Sequence, residues 1–195
     1  MEESSVPKTG EIMKKSELIA FGLTEWDVRS LCKKNRIERV RNGYYRLHSG
    51  GEPEAEQLIS MMLKRAVVCM ESALFYYDYA DFTPHGWTVA VPRSYSRKIK
   101  EIQSSIPVKA YYVQDEFLDL GKTTGSFNGI TLPVYDRERT ICDCFKYRTK
   151  IDEDIFNIAM KSYISDPRKN MDRLAEYARK MKLYDKVMSL LGIWL

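Results

Sequence analysis

The sequence predicts an α+β protein in two parts: a small basic N-terminal domain that closes in a β-hairpin, and a mixed α/β domain with a small β-sheet and a helical C-terminal bundle. Three observations predict it. Short apolar stripes at helical spacing run through residues 7–35 and give way to "RIERVRNGYYRL" (36–47), where an Asn-Gly pair separates two strand-like runs. Three β-rich runs follow in mid-chain: WTVAV (87–91), VKAYYV (108–113) and ITLPVY (130–135). From Asp136 onward, four successive segments carry helical patterning.

In order from the N-terminus, PKTGEIMKK (7–15) is expected as a short helix. SELIAFG (16–22) follows as a helix with Leu18, Ile19 and Phe21 apolar, ended by Gly22 as a C-terminal glycine does. Thr24 opens the next helix. TEWD is a capping-box pattern in which Asp27 stands where Glu is usual. Val28, Leu31 and Cys32 form its apolar stripe and leave Glu25, Arg29, Lys33 and Lys34 outward. Asn42-Gly43 is then a two-residue hairpin turn, with both positions expected at positive φ, and Tyr44–Leu47 is the return strand. Three short helices and a hairpin are the order of a winged helix-turn-helix. In that arrangement the last helix enters the major groove, the helix before it braces it, and the hairpin lays cations along the flanking backbone.

Charge agrees with that expectation through its placement more than its total. The 195 residues carry 31 Lys and Arg against 27 Asp and Glu, for a net charge of +4. Residues 29–46, however, hold seven basic side chains and a single acid, Glu38, the kind of local field that phosphates require. The expected partner is double-stranded DNA. Thr24, Arg29, Lys33 and Lys34 are the candidate contacts on the groove-entering helix Thr24–Asn35. Arg36, Arg39, Arg41 and Arg46 are those on the wing and backbone. Of Tyr44 and Tyr45, one ring packs on the core while the other donates to phosphate. A second cluster (Arg93, Tyr95, Arg97, Lys98 and Lys100) interleaves basic residues with an aromatic, and reads equally as a secondary nucleic-acid contact or as a solvated helix start.

His48–Pro53 is rich in turn formers, so the domains are expected to be 1–49 and 50–195. EPEAEQLISMMLKRA and ESALFYYDYADF read as helices; Phe75, Tyr76, Tyr77 and Tyr79 of the second read as core rather than as base-stacking platforms. LGKTTGSFNG resembles part of a phosphate loop but lacks the leading glycine of that motif, and two hairpin turns around Phe127 are the better reading. Asp136 and Asp152 are natural N-caps of the C-terminal helices.

Several classes are disfavoured. Four cysteines, of which only Cys142 and Cys144 are close, and two histidines outside any nucleophile motif offer neither a metal set nor a catalytic pair. The expectation is therefore no cofactor, no metal and no enzymatic activity. No apolar run approaches the ~18 residues of a membrane helix, and the N-terminus lacks a basic and an apolar region, so a cytoplasmic protein is expected. A rival expectation is an interaction module that neutralises a partner by direct contact, for which an apolar patch around Ile193, Trp194 and Leu195 would speak.

The run "ELIAFGLTEWDVRSLCKKNRIERVRNGYYRL" resembles the N-terminal winged-helix domain of AbiEi-type antitoxins. Gly22, Arg29, Lys33, Lys34, Arg39, Arg41, Gly43, Tyr45 and Leu47 sit in matching places. Downstream, "ESALFYY", "WTVAVPRSYSRKI" and "VYDRERTICDCF" resemble that family's second domain, including its E-R-T-x-x-D signature at Glu138, Arg139, Thr140 and Asp143. The resemblance implies a type IV toxin–antitoxin, abortive-infection system acting against bacterial viruses. It implies a repressor that binds inverted repeats upstream of its own operon, and that opposes a nucleotidyltransferase-like toxin without a stable complex. Two departures stand against the pattern: Glu38 interrupts the basic wing, and Glu25 and Asp27 begin the recognition helix. The E-R-T-x-x-D residues could form a catalytic constellation; helix-start capping with a structural ion pair is the favoured reading.

Overall fold

In the computed structural model, which describes residues 12–47 and 54–192, the chain divides between Lys64 and Arg65. The N-terminal unit runs β1 (Ile12–Lys14), α1 (Lys15–Ala20), α2 (Glu25–Lys33), β2 (Ile37–Arg41), β3 (Tyr44–Leu47) and α3 (Ala55–Met62). The spacing predicts a helix over 7–15, but residues 12–14 form a strand. β1 lies antiparallel to β3, with Ile12 opposite Arg46 and Lys14 opposite Tyr44. Nucleating one isolated helical turn is costly, whereas the strand buries both Ile12 and Met13. Two helices, not three, therefore precede the hairpin among the described residues.

The three strands form an antiparallel sheet in the order β1-β3-β2. Met13, Leu18, Val28 and Ile37 make the core, with Leu23, Leu31, Cys32, Tyr45 and Leu47 packed around it, and α3 lies against β1. The expected boundary at residues 49/50 falls outside the described residues, and α3 belongs with the N-terminal unit.

The hairpin turn is not the expected one. Gly43 has φ +81°, but Asn42 is not among the residues at positive φ. Arg39 pairs with Tyr45 and Arg41 with Tyr44, so Val40 is the extra residue of a β-bulge. The bulge adds the local twist that a two-residue turn with both residues left-handed would have supplied. That second kind of turn does occur in the chain, at Asn128 (φ +48°) and Gly129 (φ +79°).

The C-terminal unit runs β4 (Val67–Val68), α4 (Met70–Tyr76), β5 (Trp87–Val91), a 3-10 turn at Arg93–Tyr95, α5 (Ser96–Ile102), β6 (Val108–Tyr112), α6 (Asp115–Leu118), β7 (Lys122–Phe127), β8 (Ile130–Tyr135), α7 (Arg137–Lys146), α8 (Glu153–Ser165), α9 (Met171–Lys180) and α10 (Tyr184–Leu191). Its mixed sheet has the order β6-β5-β4-β8-β7. β5 and β6 are parallel, β4 is antiparallel to β5 and parallel to β8, and β7 and β8 form a hairpin. The segment read as two turns around Phe127 is thus a strand followed by one turn, at Asn128-Gly129.

Ser72 at the start of α4 is tied to β5 reciprocally: Thr88 N donates to Ser72 Oγ (2.8 Å) and Ser72 N donates to Thr88 Oγ1 (2.9 Å). α7 is the central helix, packed by α4, α8, α9 and α10. Its Ile141 and Phe145 are fully buried, each contributing roughly 1.5–3 kcal/mol. Asp136 and Asp152 cap α7 and α8 as expected, accepting from Arg139 N (2.8 Å) and Asp154 N (2.8 Å). Cys69, Cys142 and Cys144 are buried, Cys32 is half-buried, and none is in a disulfide. Among the described residues no helix is long and apolar enough to cross a membrane.

Candidate nucleic-acid interface

The site is built on α2. Thr24 closes a capping box: its Oγ1 accepts from Asp27 N (3.1 Å), while its own N donates to Asp27 Oδ2 (2.8 Å). The Thr24 hydroxyl also donates to that carboxylate (2.6 Å), and these bonds hold the Asp27 carboxyl below its usual value. Glu25 is engaged as well. Lys15 Nζ lies 2.6 Å from one of its oxygens and lowers its pKa, and Arg29 lies 3.8 Å from the other. Of the two acids that open the helix, Glu25 is therefore offset by cations, while Asp27 stays ionised and is engaged in the N-terminal cap.

Val28 turns into the core, and the opposite side of α2 carries Trp26, Arg29 and Lys33 at i, i+3 and i+7, hence on one stripe. Trp26 is 73% exposed. It is absent from the residues expected to contact DNA, although its three-residue spacing from Arg29 is a readable signal. Lys33, Lys34 and Arg36 are exposed at the C-terminal end of α2 and make no ion pair with another described residue. Cations suit the negative end of a helix dipole even without a ligand.

On the hairpin the candidates separate. Arg46 is only 5% exposed and is ion-paired to Glu38, which faces it across β2 and β3. It is not available to a phosphate. Register places the acid that interrupts the basic run directly opposite the arginine it neutralises. Arg39 is exposed but folds back on the turn, its guanidinium donating to the Asn42 side chain and to Arg41 O (3.4 Å). Arg41 and Tyr44 are half-buried and pair with each other across the turn, and Tyr45 is the tyrosine that packs on the core.

The second basic cluster lies in the C-terminal unit. Arg93 starts the 3-10 turn after β5, and Arg97, Lys98 and Lys100 are exposed on α5, whose Ile99 and Ile102 are buried. Lys98 Nζ stands 4.3 Å over the Tyr95 ring.

The E-R-T-x-x-D residues are all buried. Arg139 Nε lies 3.1 Å from Asp143 Oδ1, and its Nη1 donates to Phe117 O (2.8 Å) and Leu120 O (2.9 Å). Glu138 accepts from Asn170 N (2.8 Å), and Thr140 points to Tyr135 O (3.4 Å). These bonds tie α7 to its neighbours. The patch expected at Ile193, Trp194 and Leu195 lies outside the described residues. Among the described residues no group of three or more His, Cys, Asp or Glu side chains could hold a metal ion.

No family model matches the chain, and no curated protein sequence matches it. Among solved structures the chain is similar to the crystal structure of the RV2827C protein from Mycobacterium tuberculosis. The identity is 13% and the TM-score 0.50, over 93% of this chain and 75% of that one. That likeness concerns the fold.

Proposed function

We propose that the N-terminal unit is a winged helix-turn-helix that binds double-stranded DNA, and that the protein is a transcriptional repressor and antitoxin of a type IV toxin–antitoxin system. The observation that carries the reading is the set of exposed cations Arg29, Lys33, Lys34 and Arg36 on and just beyond α2. They belong to a unit whose strand–helix–helix–hairpin order and β1-β3-β2 sheet suit that fold. α2 enters the major groove, where Arg29 and Lys33 reach base edges or phosphates and the Trp26 ring offers apolar contact to a thymine methyl. Lys34, Arg36 and Arg41 lie against the flanking backbone. The antitoxin role, autoregulation through inverted repeats and a nucleotidyltransferase-like toxin as functional partner rest on the sequence resemblance.

A second reading has its own support. Ile19, Phe21 and Trp26 are exposed large apolar side chains within eight residues of chain, which suits a module that neutralises its partner by contact.

A mobility-shift titration against the DNA immediately upstream of the gene, at two salt concentrations, tests the choice. The repressor reading expects tight, salt-sensitive binding that Arg29→Ala/Lys33→Ala abolishes. Binding no tighter than to random DNA, together with co-purification of the neighbouring gene product, selects the interaction module.

A further inference from the structure

Beyond the carboxyl ends of the parallel strands β5 and β6 the C-terminal unit holds a cavity of about 770 Å³. Ligand pockets commonly measure ~300–1,000 Å³. Arg93 follows β5, Tyr112 ends β6, Gln114 is the N-cap of α6 and Phe117 lies within it, and Lys146 and Tyr147 end α7.

The lining combines two chemistries. Arg93 and Lys146 are exposed cations that form no ion pair with another described residue. The one acid of the lining, Asp115, is paired to Arg65, so the cavity keeps a positive balance. The lining also carries three rings, Tyr112, Phe117 and Tyr147. Tyr112 is 44% exposed, and Tyr147 is held by a ring contact with Tyr111 at 4.7 Å. Lys146 Nζ lies 5.5 Å from the Tyr147 ring and 6.0 Å from that of Phe117. Cations and aromatic rings lining one concavity suit a ligand that carries an anion and a planar ring together.

We propose that this cavity binds a nucleoside phosphate, with the phosphate held by Arg93 and Lys146 and the base laid on the rings of Tyr112 and Phe117. Gln114 supplies an amide to the base edge. The ligand is a free nucleotide or the terminal nucleotide of a single strand, which present the same chemistry. The cavity owes nothing to α2, and its role stands or falls without DNA binding there.

The test is calorimetric titration of the full chain with adenosine and uridine 5′-monophosphates, inorganic phosphate, adenosine, and a 5′-phosphorylated single-stranded RNA trinucleotide. A mononucleotide should bind at least about tenfold tighter than phosphate or nucleoside alone. Arg93→Gln, Lys146→Gln and Tyr112→Ala should each weaken it about tenfold, as removal of one charge-assisted bond or one stacked ring does. All three side chains are exposed or partly exposed, so the variants fold, and circular dichroism verifies it. Lys180→Gln, at an exposed lysine of α9 paired to Glu176, should bind as wild type. A tighter trinucleotide assigns the cavity to a strand end, and an equal or weaker one to free nucleotide; both uphold the site. Absence of nucleotide binding, equal binding of inorganic phosphate, or an equal loss in Lys180→Gln overturns it.

Discussion

Glu38 and Arg46 face each other across β2 and β3, and their ion pair withdraws Arg46 from the surface of the hairpin. The arginines of the hairpin are thus divided into a buried structural one, Arg46, a half-buried Arg41 and an exposed Arg39. The division is measurable. Arg46→Ala should lower stability to urea by about 1–3 kcal/mol through loss of a charge-assisted bond, with little change in DNA affinity per folded molecule. Lys33→Ala/Lys34→Ala should lower the urea midpoint only slightly, by the ~0.3–1 kcal/mol that a cation contributes at a helix C-terminus, and reduce the salt slope of binding by about 0.9 for each phosphate that is no longer neutralised.

The two Asn-Gly turns of this chain respond differently to the same substitution. Asn128 sits at φ +48°, where a residue other than Gly or Asn costs about 1–2 kcal/mol. Asn128→Ala should lower the melting temperature, and Asn128→Gly should restore it. At Asn42, where φ is not positive, Asn42→Ala should show only the smaller loss of its bond to Arg39.

Arg139 and Asp143 form a buried pair, and full burial lifts the Asp143 carboxyl above its ordinary value in spite of the arginine. Removing one partner strands the other charge. Arg139→Met should cost about 3–5 kcal/mol, read as a shift in chemical-denaturation midpoint. Arg139→Met/Asp143→Leu should recover much of it. Gly121→Ala should be nearly as damaging as the single variant, since its Cβ would stand 2.5 Å from Arg139 Cβ.

Asp166 makes a contribution to acid stability whose sign is defined. Arg168, Tyr79 and Arg137 all donate to it, and its carboxyl is held far below the ordinary range. A depressed carboxylate stabilises the fold above its unfolded value of about 3.9 and loses that contribution as pH falls through the folded value. Asp166→Asn should therefore be clearly less stable than wild type at pH 7. The gap should close progressively below about pH 4, in urea melts at stepped pH.

How much of the molecule is legible in its sequence depends on whether the determinants are local. The capping box at Thr24 and Asp27, the N-caps Asp136 and Asp152, and the strand Trp87–Val91 are written in neighbouring residues, and the sequence alone finds them. β1 is not legible, because three residues become a strand only through β3, some thirty positions away. The Val40 bulge hides for the same reason: an Asn-Gly pair specifies a turn, while the register on either side decides which turn. Within the candidate interface, Arg46 looks like any other cation of the hairpin until the cross-strand register sets Glu38 against it. Trp26 lies in plain view in the sequence, but the charges around it mask its place on their stripe.

The burial of Cys69, Cys142 and Cys144 in the C-terminal unit, with their thiols pushed well above the ordinary value by desolvation, turns these side chains into reporters. A thiol-specific chromophore added to native protein should find Cys32 first, and slowly, since that thiol too is raised by partial burial. The other three react only when their unit opens. Absorbance developed over time then becomes a clock for opening of the C-terminal unit, set against a Cys32 signal from the N-terminal unit in the same cuvette.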